Sequence, residues 1–227
     1  MADQPEARTS GAIDPRILEQ LEAVPLCADR PLLIVDADEV MVVFAAHLAR
    51  FAAAEGLEMR LERYSLEGAF TERAGGGVLS FEDAIALIHR FVEAETHRQE
   101  ALDGAPRSLA RLAERAQIVV LTNVPRHGRE ARVENLSALG MGYPMVENGG
   151  GKGPVIAWLA ERTGAPAIFL DDSPHQLASA KVSAPHVVRV HFVGAPMVAP
   201  IIPQCEAADH RVTTWSEAEA LLTRLLA

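Results

Sequence analysis

Leu32-Leu33-Ile34-Val35-Asp36-Ala37-Asp38-Glu39-Val40 is the stretch from which the rest of the chain is read. An apolar run of buried-strand length ends at two carboxylates spaced two residues apart. Residues i and i+2 of an extended chain project to the same side. Asp36 and Asp38 are therefore placed to converge on one cation or one reacting atom, which is the geometry of metal-assisted chemistry.

Outward from this stretch, the pattern predicts alternating helices and strands. Residues 1–12 read as a loose tail, and Asp14-Pro15 as an N-cap followed by proline at the first helical position, opening a short helix to about Glu22. Tail and helix make up an N-terminal segment, 1–30. A strand at 31–36 follows. From residue 103 the expected order is helix 106–115, strand 117–122, helix 127–139, a short strand near 145, helix 153–163 and strand 166–170. Strands 187–193 and 211–214 come next, and Ser216 with Glu219 reads as the capping box of a last helix. Such alternation predicts an α/β, doubly wound, mostly parallel Rossmann-like sheet of about five strands, covered on both faces. Residues 31–40 and 103–227 would form this core.

Residues 41–102 read as a helical insert. Val43, Phe44, Leu48 and Phe51 recur with helical spacing up to Gly56, and a second helix from Ser80 carries Phe81, Ile85, Ile88, Phe91 and Val92 on one face. Gly75-Gly76-Gly77, between them, reads as a flexible connection.

Ligands of parallel sheets sit beyond the carboxyl ends of the strands, so the other strand ends test the idea. Ile118-Val119-Val120-Leu121 ends at Thr122-Asn123, and Ala167-Ile168-Phe169-Leu170 ends at Asp171-Asp172. Lys152 stands just before the helix that precedes the latter strand. A hydroxyl, an ammonium and two further acids can thus meet Asp36 and Asp38 at one sheet edge.

In this order the residues resemble the four motifs of the haloacid dehalogenase (HAD) superfamily, in particular its phosphohydrolase branch, with the insert where that superfamily places a type-one helical cap. The resemblance covers nearly the whole chain after residue 30. It implies a Mg2+-dependent hydrolase of a small phosphorylated metabolite. Asp36 would be the nucleophile, giving an aspartyl-phosphate, and Asp38 would protonate the leaving oxygen and then help deprotonate water. Thr122, with Asn123 beside it, would hold a phosphoryl oxygen, and Lys152 would hold both nucleophile and phosphoryl group by charge. The Asp36 carboxylate, the Asp38 main-chain carbonyl and the Asp172 carboxylate would bind Mg2+, with Asp171 oriented nearby or sharing the task. Independently of the family, an anionic nucleophile facing a phosphoryl group needs cations at the reacting oxygens.

Asp38 distinguishes this chain from the dehalogenases proper, which lack that second aspartate. Glu39 departs from the small residue common at its position in the phosphatases. The rival readings are a phosphotransferase or phosphomutase on the same core, and a catalytically idle relative that binds a phosphorylated ligand.

Several residues have plainer readings. Thr122-Asn123 can start a turn, Ser173-Pro174-His175-Gln176 reads as an N-cap with a capping box, His47 as a packed histidine and Trp158 as core. Arg60, Arg63, Arg73 and Arg90 are mostly solvated insert charges. No nucleotide P-loop is formed around Lys152, because Gly153 stands where Ser or Thr should follow.

Composition narrows the partners. With 21 basic and 31 acidic residues the chain carries a formal charge of −10, which argues against nucleic-acid binding through the phosphate backbone. Cys27 and Cys205 suggest neither a disulfide framework nor a zinc site. Met1 to Ser10 is polar, and no apolar run approaches the roughly 20 residues of a membrane span. A cytoplasmic protein without membrane or nucleic-acid partners is expected; its oligomeric state is not encoded in these features.

Overall fold

β1 (Leu32–Val35) is apolar at all four positions and fully buried at each, as a strand covered on both faces must be. A computed structural model describes residues 13–226; the tail expected over 1–12 lies outside the described residues. β1 sits inside a six-stranded parallel sheet with β4 (Gln117–Thr122), β5 (Met145–Glu147), β6 (Ala167–Asp171), β7 (Val188–Phe192) and β8 (His210–Val212). The strand order is β5-β4-β1-β6-β7-β8. Each strand expected along the chain is present, the short one expected at 211–214 as β8, which pairs along β7 from Val190–His210 to Phe192–Val212, so the sheet has six strands rather than about five.

Period-two alternation divides the core into two layers. Leu33 and Val35, with Ile118, Val120, Ile168 and Leu170, pack under α4 (Ala105–Leu112), α5 (Arg129–Ala138) and α8 (Trp215–Leu225). Leu32 and Ile34, with Val119, Leu121 and Phe169, pack under α1 (Pro15–Ala23), α6 (Gly153–Thr163) and α7 (Pro174–Ser183). Each such fully buried large side chain contributes about 1.5–3 kcal/mol of transfer free energy. Among the described residues no helix is long and apolar enough to cross a membrane.

Between β1 and β4 the chain forms α2 (Ala45–Ala54), β2 (Leu57–Met59), β3 (Phe70–Glu72) and α3 (Phe81–Glu95). Its two connectors pair with each other: Val43 N donates to Glu100 O at 2.9 Å, and Leu102 N to Met41 O at 2.8 Å. The insert is not wholly helical, since β2 and β3 pair antiparallel. Strands of three residues are too short to show a period in the sequence. Gly75-Gly76-Gly77 is a tight turn after β3 rather than a loose connection: Gly76 N donates to Glu72 O at 2.9 Å, and Gly76 has φ of 66°. α3 starts at the expected cap, Ser80, but buries Ala84, Leu87, Phe91 and Val92 while Phe81 and Ile85 face solvent. The stripe is rotated because the insert's own core, with the Phe44 and Phe51 rings edge-on to Phe91, lies on that side.

Two expected capping boxes differ. α8 is capped by Thr214, which accepts from Glu217 N at 3.2 Å, two residues before the expected Ser216. Glu219 instead accepts from Ser108 on α4. Ser173 makes no side-chain cap at α7, and the Gln176 amide is engaged elsewhere. Trp158 is only half-buried, with Arg162 over its ring, whereas the core tryptophan is Trp215.

Candidate active site

β1 and β6 run in register from Leu32–Ala167 to Val35–Leu170, and Asp36 N donates to Leu170 O at 3.0 Å. Sheet pairing therefore delivers Asp36 and Asp171 to neighbouring positions at the carboxyl edge. Lys152, at the start of α6, extends its Nζ between them, 2.5 Å from Asp36 Oδ1 and 2.7 Å from Asp171 Oδ2. Asp36, Asp171 and Asp172 each offer an oxygen within 4.8 Å of the others.

Three buried acids around one ammonium leave an excess of negative charge. Burial works against the Lys152 ammonium, but Asp171 and Asp36 outweigh it and raise its pKa. Burial, opposed by Lys152, raises Asp171; burial together with the Asp171 and Asp36 charges raises Asp172 further. Asp171 has both oxygens engaged, one by Lys152 and the other by Ser173 N at 2.8 Å. Asp172 accepts only on Oδ2, from Tyr64, among the described residues, and so keeps the freer carboxylate. His191 Nε2 lies 3.0 Å from the Asp172 carbonyl, which can only accept, so that nitrogen carries the proton.

The loop that presents Lys152 is held by amides. Asn123 Nδ2 and Gln176 Nε2 both donate to Gly150 O, at 2.8 and 3.1 Å, while Gln176 Oε1 accepts from Lys152 N at 2.8 Å. Gly153 follows because a Cβ there would stand 2.2 Å from Ser179 O, so only glycine lets α6 approach α7 this closely. Gln176, read in the sequence as part of a cap, is thus a support of the Lys152 loop and lines the cavity.

The other expected residues lie differently. Asp38 lines the cavity and receives Arg132 Nη2 at 2.5 Å. Burial raises the Asp38 carboxyl above the ordinary range, and Arg132 pulls it back. Arg132 is fully buried on α5, where its Nε and Nη1 have no partner among the described residues. Thr122 is fully buried at the end of β4; its hydroxyl accepts from Val124 N at 3.2 Å, and it does not line the cavity, whereas Asn123 does. Glu39 has φ of 60°, a left-handed conformation that favours glycine. Its carboxylate turns inward and accepts from Phe44 N at 3.1 Å and from Ala45 N, closing the start of α2. Burial pushes it up to about 7. The departure flagged in the sequence thus has a structural use, as a cap on the insert's first helix.

Arg132 and Tyr64 were not singled out in the sequence. Tyr64, in the loop between β2 and β3, donates to Asp172 Oδ2 at 2.8 Å across the cavity, and burial with the Asp172 charge raises its pKa. Neither had a cue in the sequence: Arg132 is flanked by the exposed Val133 and Glu134, and the Tyr64 contact joins residues far apart in the chain. Arg60, Arg63 and Arg90 pair with Glu58, Glu67 and Glu55 on the insert surface, and Arg73 is exposed, so none of the four lines the cavity. His47 is packed, as expected, with its Nε2 accepting from Glu100 N at 3.3 Å.

The cavity that joins these groups has a volume of about 390 Å3 and lies between the strand ends and the insert. Such a volume suits a small molecule.

No protein-family model and no curated protein matches the sequence. Solved structures do. A HAD family hydrolase from Deinococcus radiodurans, with bound phosphate and sodium, aligns with a TM-score of 0.60 at 18% identity, covering 89% of this chain and 97% of that one. A conserved haloacid dehalogenase-like protein of unknown function from Agrobacterium tumefaciens aligns with a TM-score of 0.59 at 17% identity, over 86% of this chain and 99% of the other. A HAD-superfamily hydrolase, subfamily IA, variant 1, from Geobacter sulfurreducens gives 0.52 at 22%, over 85% and 99%. The chain therefore has the HAD-like fold.

Proposed function

We propose that the protein is a Mg2+-dependent hydrolase of small phosphate monoesters working through a phosphorylated Asp36. The observation that carries this reading is the convergence of Asp36, Lys152, Asp171 and Asp172, from three separated segments, on one cavity at the sheet's carboxyl edge. The residues fit a divalent ion: three buried carboxylates with hard oxygen donors and a single ammonium have charge left to neutralise. Asp36, Asp172 and the main-chain carbonyl of Asp38 would hold Mg2+, which when bound supplies charge neutralisation between carboxylate and phosphoryl oxygens. The Deinococcus radiodurans hydrolase of the same fold carries bound phosphate and sodium.

In this scheme Asp36 Oδ2, which accepts no hydrogen bond from the described residues, forms a bond to phosphorus as the ester P–O bond breaks. Lys152 holds Asp36 in orientation through Oδ1. Asp38, held by Arg132, gives its proton to the departing alkoxide and then takes one from the water that cleaves the Asp36–phosphorus bond. Alcohol and inorganic phosphate are the products. The insert closes over the cavity to exclude bulk water and opens for release.

Hydrolysis of an aryl phosphate by the purified protein, with Mg2+ and after chelation, tests the reading. Asp36→Asn is expected to lose at least about a thousandfold in kcat, as removal of a nucleophile does. Equal turnover by the variant overturns the scheme.

A further inference from the structure

The cavity's charged groups all lie on its strand side. Facing them, the wall is Phe44, Leu48, Met59, Leu61 and Leu66 from the insert, and Val198 and Ile201 from the segment after β7. Among the described residues no arginine or histidine lines the cavity, and the one cation there, Lys152, is already shared by Asp36 and Asp171. The arginines of the adjoining insert loop are exposed and paired outside, Arg60 with Glu58 and Arg63 with Glu67. The polar groups on the insert side are Ser65 and Tyr64, and the Tyr64 hydroxyl is committed to Asp172.

We infer that the preferred substrate is a phosphate monoester of a neutral, apolar alcohol or phenol, branched-aliphatic or cyclic, rather than a sugar phosphate or an ester carrying a second anion. This deepens the phosphohydrolase reading and rests on it. Once the phosphoryl group meets Asp36 and Lys152, the rest of the ester must lie against the apolar wall. A polyol there would bury hydroxyls without partners, each costing roughly tenfold in affinity. A second carboxylate or phosphate would be desolvated with no cation to receive it. A hydrocarbon gains instead, since one methylene in an apolar pocket is worth roughly tenfold or more in specificity. The reaction balances without further reagents: the water oxygen ends on phosphorus, the ester P–O bond breaks, and the alcohol leaves with one proton.

The test compares kcat/KM, with Mg2+, for cyclohexyl phosphate, glucose 6-phosphate and phosphoglycolate, all esters of unactivated alkanols. Cyclohexyl phosphate is expected to exceed both by at least about tenfold. Leu61→Arg from the insert and Ile201→Arg from the segment after β7 change half-buried positions on the apolar wall. Each should narrow the ratio of cyclohexyl phosphate to phosphoglycolate by about tenfold or more. Calorimetric binding of cyclohexylphosphonate and inorganic phosphate supplies a readout without turnover; the phosphonate should bind at least about tenfold tighter. Hydrolysis of all three esters with glucose phosphate equal or preferred overturns the substrate class and leaves the hydrolase reading standing. No hydrolysis, with the phosphonate still tighter, removes the hydrolase reading and supports the ligand class. No hydrolysis and no preference for the phosphonate overturns both.

Discussion

On its strand side the cavity is walled by Asp36, Lys152, Asp171 and Asp172, each placed by sheet register or by the start of a helix. On its insert side it is walled by Phe44, Leu48, Met59 and Leu61, each placed by how α2 and the β2–β3 connection pack on their own small core. The first wall holds charges whose mutual distances are a few ångströms and whose energies depend on one another. The second holds side chains whose contributions are nearly independent. Substitutions should therefore have coupled, large effects on the strand side and graded effects on the insert side.

Lys152→Met is the largest expected break. It leaves three buried acids with no cation, and removing one partner of a buried ion pair costs about 3–5 kcal/mol of stability. Urea unfolding in the absence of divalent ions should show that loss, and turnover should fall at least about a hundredfold, as when a charge stabiliser is lost. A variant as stable as the parent would mean that the acids neutralise themselves by taking up protons, and that the strand-side wall is not held by charge.

Tyr64→Phe sharpens the comparison where the two walls touch. Its hydroxyl bonds the carboxylate that is otherwise the freest of the acid cluster. Removing it should leave the fold within about 1 kcal/mol, the net worth of one hydrogen bond. Because an ion at Asp172 no longer displaces that bond, Mg2+ should bind roughly three- to tenfold more tightly by calorimetric titration. Weaker binding would instead show that Tyr64 aims the Asp172 carboxylate, making the insert part of the ion site.

These differences explain what could be read in advance. The strand-side residues are legible because an apolar run ending in acid gives strand, direction and face at once, and parallel strands put their ends on one edge. Asp36, Asp171 and Asp172 needed nothing beyond that. Lys152 was legible only by its place before α6; the amides of Asn123 and Gln176 that fix it were not, since hydrogen bonds between loops leave no period in the sequence. Thr122 shows the limit in the other direction, because a strand end can turn its hydroxyl onto its own loop backbone, here Val124 N. In the insert, Ser80 announced α3, but the buried stripe was misplaced by Phe81 and Ile85, whose hydrophobicity says nothing about which side the neighbouring core lies on. Arg132, buried beneath Asp38, is polar by composition and internal only by tertiary packing.

The smallest expected effect is on the insert side and concerns pH. His47, on α2 beside the wall residues Ala45 and Leu48, is buried, and that burial, with the nearby Arg50, lowers its pKa; Glu100 and Glu95 act in the opposite direction without reversing it. Its Nε2 accepts from Glu100 N, which requires the neutral ring. Above about pH 6.5, the unperturbed value, the histidine is neutral folded and unfolded, and its contribution to stability is fully present. As pH falls from there through the lowered native value, the unfolded chain takes up the proton first, so stability is lost. His47→Gln keeps an acceptor for Glu100 N and has no proton to take up. The midpoint of thermal unfolding, followed from pH 7.5 to 5.5 in both proteins, should fall further for the parent than for the variant. A variant that follows the parent throughout would show that the histidine titrates as it does in water, and that the insert wall stands as open to solvent on this side as the strand wall is closed.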